Sequence, residues 1–101
     1  MKIVWTEEAL QNLRNIERFI AEDSPKRAIE FTNFLISNTE SLLENPRIGR
    51  VVPEISNPII RELIVKKYRI VYRLKPTLIE ILTVFEGHKL LDPDNIELSV
   101  D

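Results

Sequence analysis

The segment Tyr68-Arg69-Ile70-Val71-Tyr72-Arg73 sets two arginines two residues apart in a β-prone run. Side chains alternate across a strand, so Arg69, Val71 and Arg73 share one face while Tyr68, Ile70 and Tyr72 turn to the other, toward a core. Guanidinium groups bind carboxylates and phosphates through paired N–H donors, so a ladder of them suits phosphoryl stabilisation or the docking of an acidic surface. The surrounding block is strongly basic. Residues 47–75 carry eight Lys or Arg and two acidic residues, net +6, within a chain whose formal charge is −2. Residues 1–46 sum to −3 and residues 76–101 to −5. A cationic face beside an acidic tail is expected to dock a polyanion or an acidic protein. Arg47, Arg50, Arg61, Arg69 and Arg73 are the candidate target-binding residues, with Arg61, Arg69 and Arg73 expected on one sheet face. The competing structural reading makes Arg69 an exposed strand residue paired with Glu62 or Glu80 on a neighbouring strand, worth only about 0.2–1 kcal/mol.

Arginine stabilises charge but does not exchange protons near neutral pH, so general acid–base work needs another group. Glu86-Gly87-His88-Lys89 supplies one, since His88 is the single histidine of the chain and imidazole is the side chain suited to proton transfer near neutrality. Lys89 beside it can steady a phosphate. A solvated turn histidine next to Gly87 is the plainer alternative.

Much other chemistry is excluded. There are no cysteines, hence no disulfide, thiol nucleophile or thiolate metal site; with one histidine, no metal site is expected. Two glycines in the whole chain rule out a phosphate-cradling glycine loop, and no cofactor is expected. No serine stands in a nucleophile-turn context. The apolar runs are too short for a membrane span and the N-terminus has no secretion-signal pattern, so a cytoplasmic protein without membrane partners is expected.

At 101 residues the chain is one domain. Lys2–Trp5 is a short β-prone run. Thr6 then offers a hydroxyl N-cap, with Glu7 and Glu8 in the first turn of a helix whose apolar positions Ala9, Leu10, Leu13, Ile16 and Ile20 recur every three or four residues. Asp23-Ser24-Pro25 ends that helix and starts a second, capped by Ser24, with Ala28, Phe31, Leu35 and Leu42 on its apolar face. Asn45-Pro46 and Gly49 stop it near Glu44. Three extended runs follow, Ile59–Val65, Tyr68–Leu74 and Leu78–Phe85, joined by connections too short for anything but antiparallel pairing. The expected fold is α+β, a β-α-α-β-β-β order with a helical hairpin packed on one face of an antiparallel sheet. Residues 1–91 form the domain; Asp92–Asp101, with four acidic residues and no basic one, is expected to be a loosely held tail.

The order of these elements resembles the RelE/ParE superfamily, toxins of type II toxin–antitoxin systems. The likeness runs from Lys2 to about Leu91 and rests on Trp5-Thr6-Glu7-Glu8-Ala9, Ser24-Pro25-Lys26-Arg27-Ala28, Asn45-Pro46-Arg47-Ile48-Gly49-Arg50, Arg61-Glu62-Leu63, Tyr68–Arg73 and Val84–Leu91. The resemblance implies a growth-inhibiting toxin neutralised by a cognate antitoxin, the pair contacting operator DNA only as a complex. It also implies one of two targets. RelE-like members cleave mRNA in the ribosomal A site; here that would make Arg69, His88 and Lys89 catalytic. ParE-like members poison DNA gyrase through protein contacts. The chain has no tyrosine beyond residue 72 and ends in an acidic stretch, departures from the RelE-like pattern that favour the ParE-like side. An exposed Arg69 would be dispensable for folding, and an acidic, amphipathic antitoxin segment would cover the basic block.

Overall fold

The computed structural model describes residues 1–87. The expectations for His88, Lys89 and the acidic tail therefore lie outside the described residues. Eight short elements follow one another: β1 (Lys2–Trp5), α1 (Glu7–Ala21), α2 (Pro25–Glu40), a 3-10 turn over Ser41–Leu43, β2 (Arg50–Val51), β3 (Ile60–Val65), β4 (Tyr68–Leu74) and β5 (Leu78–Glu86). Both helix starts have the expected chemistry. The Thr6 hydroxyl accepts from the Ala9 amide at 3.2 Å, and the Ser24 hydroxyl accepts from the Arg27 amide at 3.2 Å with Pro25 in the first turn. Helical structure ends as a 3-10 turn just before Asn45-Pro46, where the proline disfavours a further α-helical turn.

The three long strands form the expected antiparallel meander, β3 against β4 and β4 against β5. Two additions complete a mixed five-stranded sheet of order β1-β5-β4-β3-β2. Strand β1 pairs parallel with β5, Lys2 opposite Leu78 through Trp5 opposite Ile81, and β2 adds a two-residue edge to β3. Parallel pairing is possible because the whole helical hairpin and meander separate the two strands, giving the chain room to cross the sheet. Thr6, where β1 meets α1, ties this junction to the sheet. Its hydroxyl reaches the carbonyls of Ile81 and Leu82 at 2.9 and 3.1 Å. The β4–β5 register shifts here, with Val71 opposite Thr83 but Tyr72 opposite Ile81, so Leu82 is an extra bulge residue. Asn12 on α1 completes the clamp, its side-chain oxygen accepting from the Thr83 hydroxyl and the Val84 amide, both at 2.9 Å.

Each face of the sheet is covered. On one, Ala9 and Ile16 of α1 and Leu35 of α2 pack with Tyr68, Ile70, Tyr72, Ile79, Ile81 and Val84, so both tyrosines are core residues as the alternation implies. On the other, the loop after β2 folds back, and its Val52 and Ile55 join Ile60, Val71, Leu82 and Phe85 in a second cluster. At the β2 edge the Tyr72 hydroxyl accepts from the Gly49 amide at 3.1 Å and donates to the Pro46 carbonyl at 2.8 Å. A side chain at residue 49 would collide there, since a Cβ would sit 2.5 Å from the Glu62 carbonyl and 2.6 Å from the Tyr72 hydroxyl. Gly49→Ala is accordingly expected to cost about 1–3 kcal/mol by overpacking. Chemical denaturation measures this, and a loss under about 0.5 kcal/mol would show that the Pro46–Gly49 loop yields freely.

Candidate functional site

The face of β4 turned away from the helices carries Arg69, Val71 and Arg73, as alternation requires. Neither arginine is exposed: Arg69 is 4% and Arg73 6% accessible. The expectation of an exposed Arg69 is overturned, because the loop that carries Val52, Glu54 and Ile55 closes over this face. Arg69 is held from three sides. Its Nη1 and Nη2 donate to the two oxygens of Glu54 at 2.8 Å each, a bidentate pair, and its Nε donates to Glu62 Oε1 at 2.5 Å. The Phe85 ring lies under the guanidinium, 5.0 Å from its centroid, a cation–π contact. Glu62, whose side chain is fully buried, also accepts from Arg50 Nε at 2.6 Å. The result is a four-member chain, Arg50–Glu62–Arg69–Glu54, with no net charge. Arg73 is spent in the same way, its Nε and Nη2 donating to Glu80 Oε1 at 2.8 and 2.6 Å, with Lys75 at 3.5 Å from that oxygen. Of the two cross-strand partners expected for Arg69, the structure shows Glu62, in a buried rather than an exposed setting, while Glu80 pairs with Arg73.

Arg61 departs from the expected face. It stands opposite Tyr72, whereas Glu62 stands opposite Val71, so Glu62, not Arg61, shares the Arg69 face. The period of two decides this, since neighbours along a strand point to opposite faces. Arg61 bonds instead to backbone, its Nε to the Pro58 carbonyl at 2.9 Å and its Nη1 to the Gly49 carbonyl at 3.0 Å. Arg47 and Arg50 are exposed near the same sheet edge. The five candidate arginines therefore divide into a buried, ion-paired pair on β4 and a group of three around the β2 edge.

The protonation states narrow the chemistry. Hydrogen bonds donated to Glu54 above all, with those to Glu62 adding to them, hold the Arg69 guanidinium further into its cationic form than an ordinary arginine, against the opposing effect of burial. It can balance charge but cannot shuttle a proton. Burial raises the Tyr72 phenol, and burial followed by the nearby Glu86 carboxylate raises Tyr68, so both stay protonated at neutral pH and neither can serve as a general base. Among the described residues no cluster of His, Asp, Glu or Cys could hold a metal ion, and no helix is long and apolar enough to cross a membrane.

Residues 3–91 match the family model described as "ParE toxin of type II toxin-antitoxin system, parDE". The chain belongs to the ParE toxin family. A solved structure titled "Chromosomal ParDE TA system from P. aeruginosa" shares the fold, with a TM-score of 0.71 and 21% identity over 85% of this chain and 95% of that one. A search of functionally curated proteins found no match.

On this ParE-family toxin the sequence reading passed over a second surface. Phe19 near the C-terminal end of α1 and Phe34 within α2, 67% and 41% exposed, stand beside the Lys66-Lys67 turn between β3 and β4. The signal was available: both phenylalanines fall off the apolar stripes of their helices, where a large aromatic side chain has no core to enter.

Two outcomes follow from the site. Arg69→Ala leaves Glu62 buried with a single partner and Glu54 without its bidentate donor, so it is expected to lower stability by about 3–5 kcal/mol. Arg47→Ala, at an exposed loop position, should stay within about 0.5 kcal/mol. Equal, small losses in urea denaturation would show that the ion chain can be replaced by water. For the phenols, folded pKa values above the unfolded value of 10.0 mean that the folded state binds its protons more tightly. Their contribution is intact below about pH 10 and is lost as pH rises through the folded pKa. The melting temperature should therefore fall above about pH 10, and Tyr68→Phe should flatten that fall; an unchanged slope would assign it to other groups.

Proposed function

We propose that this ParE-family protein inhibits growth by poisoning DNA gyrase through protein contacts and is neutralised by a cognate antitoxin, with operator DNA bound only by the toxin–antitoxin complex. The match to the ParE toxin model over residues 3–91 carries this reading. The site supports it from the chemical side. Phosphodiester cleavage needs a group that changes protonation near neutrality as well as cations free to meet phosphoryl oxygens. Arg69 and Arg73 are committed to carboxylates, and the two described phenols are held protonated. For target contact we assign Arg47 and Arg50 at the exposed β2 edge, with Arg61 shaping the loop that carries them; Arg69 and Arg73 hold the covered face in register.

Inducing the chain alone in a bacterial host and following labelled thymidine and amino-acid uptake tests the target. The expected outcome is an early fall in DNA synthesis while protein synthesis continues, together with inhibited supercoiling by purified gyrase. An early fall in protein synthesis instead would replace this reading with A-site mRNA cleavage.

A further inference from the structure

Strand β2 covers only part of its neighbour. It pairs with Arg61 and Glu62, so among the described residues no strand lies beside the outer edge of β3 from Leu63 to Val65. Backbone groups of an antiparallel strand point by turns to its two sides. The Val52 amide donates to the Ile60 carbonyl at 3.1 Å, which assigns the even-numbered residues of β3 to the outer side. Ile64 is therefore the residue of the uncovered stretch whose N–H and C=O both face outward. Its side chain, on the Arg69 face, is 56% exposed. An apolar side chain beside open ladder groups is a template for one more strand.

The chain carries a segment suited to that edge. Gly87 donates its amide to the Lys67 carbonyl at 2.6 Å, so residues 88–101 set out from the β3–β4 turn. Asp92-Pro93-Asp94 is a turn signal, and Ile96, Leu98 and Val100 then alternate with Asn95, Glu97, Ser99 and Asp101, the pattern of a half-buried strand. Residues 88–94 extend to at most about 25 Å. Crossing from β5 past β4 and β3 takes three strand spacings, about 15 Å. Strands β3 and β5 run the same way, each antiparallel to β4, so a chain doubling back from the end of β5 lies antiparallel to β3. Charge agrees with this route. Lys66 and Lys67 make no ion pair among the described residues, and Asp92 and Asp94 come just before the alternating run.

We propose that residues 95–101 add to the outer edge of β3 as a sixth, antiparallel strand, with an apolar residue of the alternation beside Ile64 and with Asp92 and Asp94 against Lys66 and Lys67. The partner of this edge is the chain's own C-terminal segment. The contact is short, because β2 ends the open edge at Glu62, so a few ladder bonds and the charge pairs hold a strand that can detach. In place, it closes an edge that would otherwise pair with other chains. This inference is independent of the gyrase reading.

Amide hydrogen exchange of the full chain, read by NMR at about 0.05 and 0.3 M salt, tests the proposal. In wild type the Ile64 amide should exchange at least about tenfold more slowly than in an unstructured chain, with proton cross-peaks from Ile64 to Ile96, Leu98 or Val100. The full-length double variant Ile96→Ser with Leu98→Ser should return Ile64 to the unstructured rate and leave the Ile70 amide of the central strand as slow as before. Lys66→Asn with Lys67→Gln should lower the Ile64 protection and remove most of its salt dependence; asparagine suits the positive φ of 56° at residue 66. An Ile64 amide that exchanges freely in wild type at low salt would overturn the proposal. So would protection that survives the change at residues 96 and 98, which would assign the amide to a partner within residues 1–87. Protection that rises with protein concentration would put a second copy on the edge and would equally overturn it.

Discussion

The buried carboxylate of Glu62 is the constraint around which one half of this molecule is organised. A fully desolvated carboxylate is tolerable only with charged donors in place, and Glu62 has two, Arg50 from the edge strand and Arg69 from the central strand. Arg69 is in turn a desolvated cation that needs more than one carboxylate oxygen, and Glu54 from the covering loop meets both of its outer nitrogens. Removing any member takes an ion partner from its neighbour, so the chain fixes together β2, β3, β4 and the loop between β2 and β3. Val52 and Ile55 can then close the second apolar cluster over the sheet. The charges act less as a source of net stability than as a condition on geometry: alternative placements of the loop would strand an ion in a dry environment.

This arrangement changes what the basic block means. Arginine-rich strands suggest a surface for anions, but within a folded domain the same residues can be the counterions of buried glutamates. Here Glu54, Glu62 and Glu80 neutralise the β4 arginines, and backbone carbonyls engage Arg61. The cationic character that survives at the surface belongs to the tight turn between β3 and β4 and to the β2 edge. The opposite side of the sheet has its own organising contact, where Thr6 and Asn12 meet the backbone groups around the Leu82 bulge and seat α1 on β5. The helical hairpin is thereby held at the N-terminal end of α1, while Ile20 and Arg27 near its connecting turn lie beside Lys66.

Much of the fold was legible because it depends on interactions between residues close in sequence. The Thr6 and Ser24 caps, the position of Pro25, the apolar spacing of the two helices and the short connections of the meander each constrain only a few neighbouring residues, and each appears in the structure as read. The tyrosines were also placed correctly, since alternation along β4 is a local rule. Arg61 was misassigned although the same rule applied. The error lay in grouping residues by charge across strands, and the register, with Glu62 opposite Val71, puts the acidic residue on the arginine face.

The sequence by itself determined the helices, the first strand, the three-stranded meander, their order and the family, because capping, periodicity and turn length are short-range properties and the ParE pattern spans residues 3–91. Tertiary structure alone decided which charges are surface and which are interior. Burial of Arg69 depends on a loop some fifteen residues earlier folding across the sheet, and the parallel pairing of β1 with β5 joins the two ends of the described chain. Such long-range contacts carry no local signature, since any segment of suitable polarity could satisfy the same strand edge or the same guanidinium. What selects one is the simultaneous requirement that every buried ion be paired and every apolar face be covered.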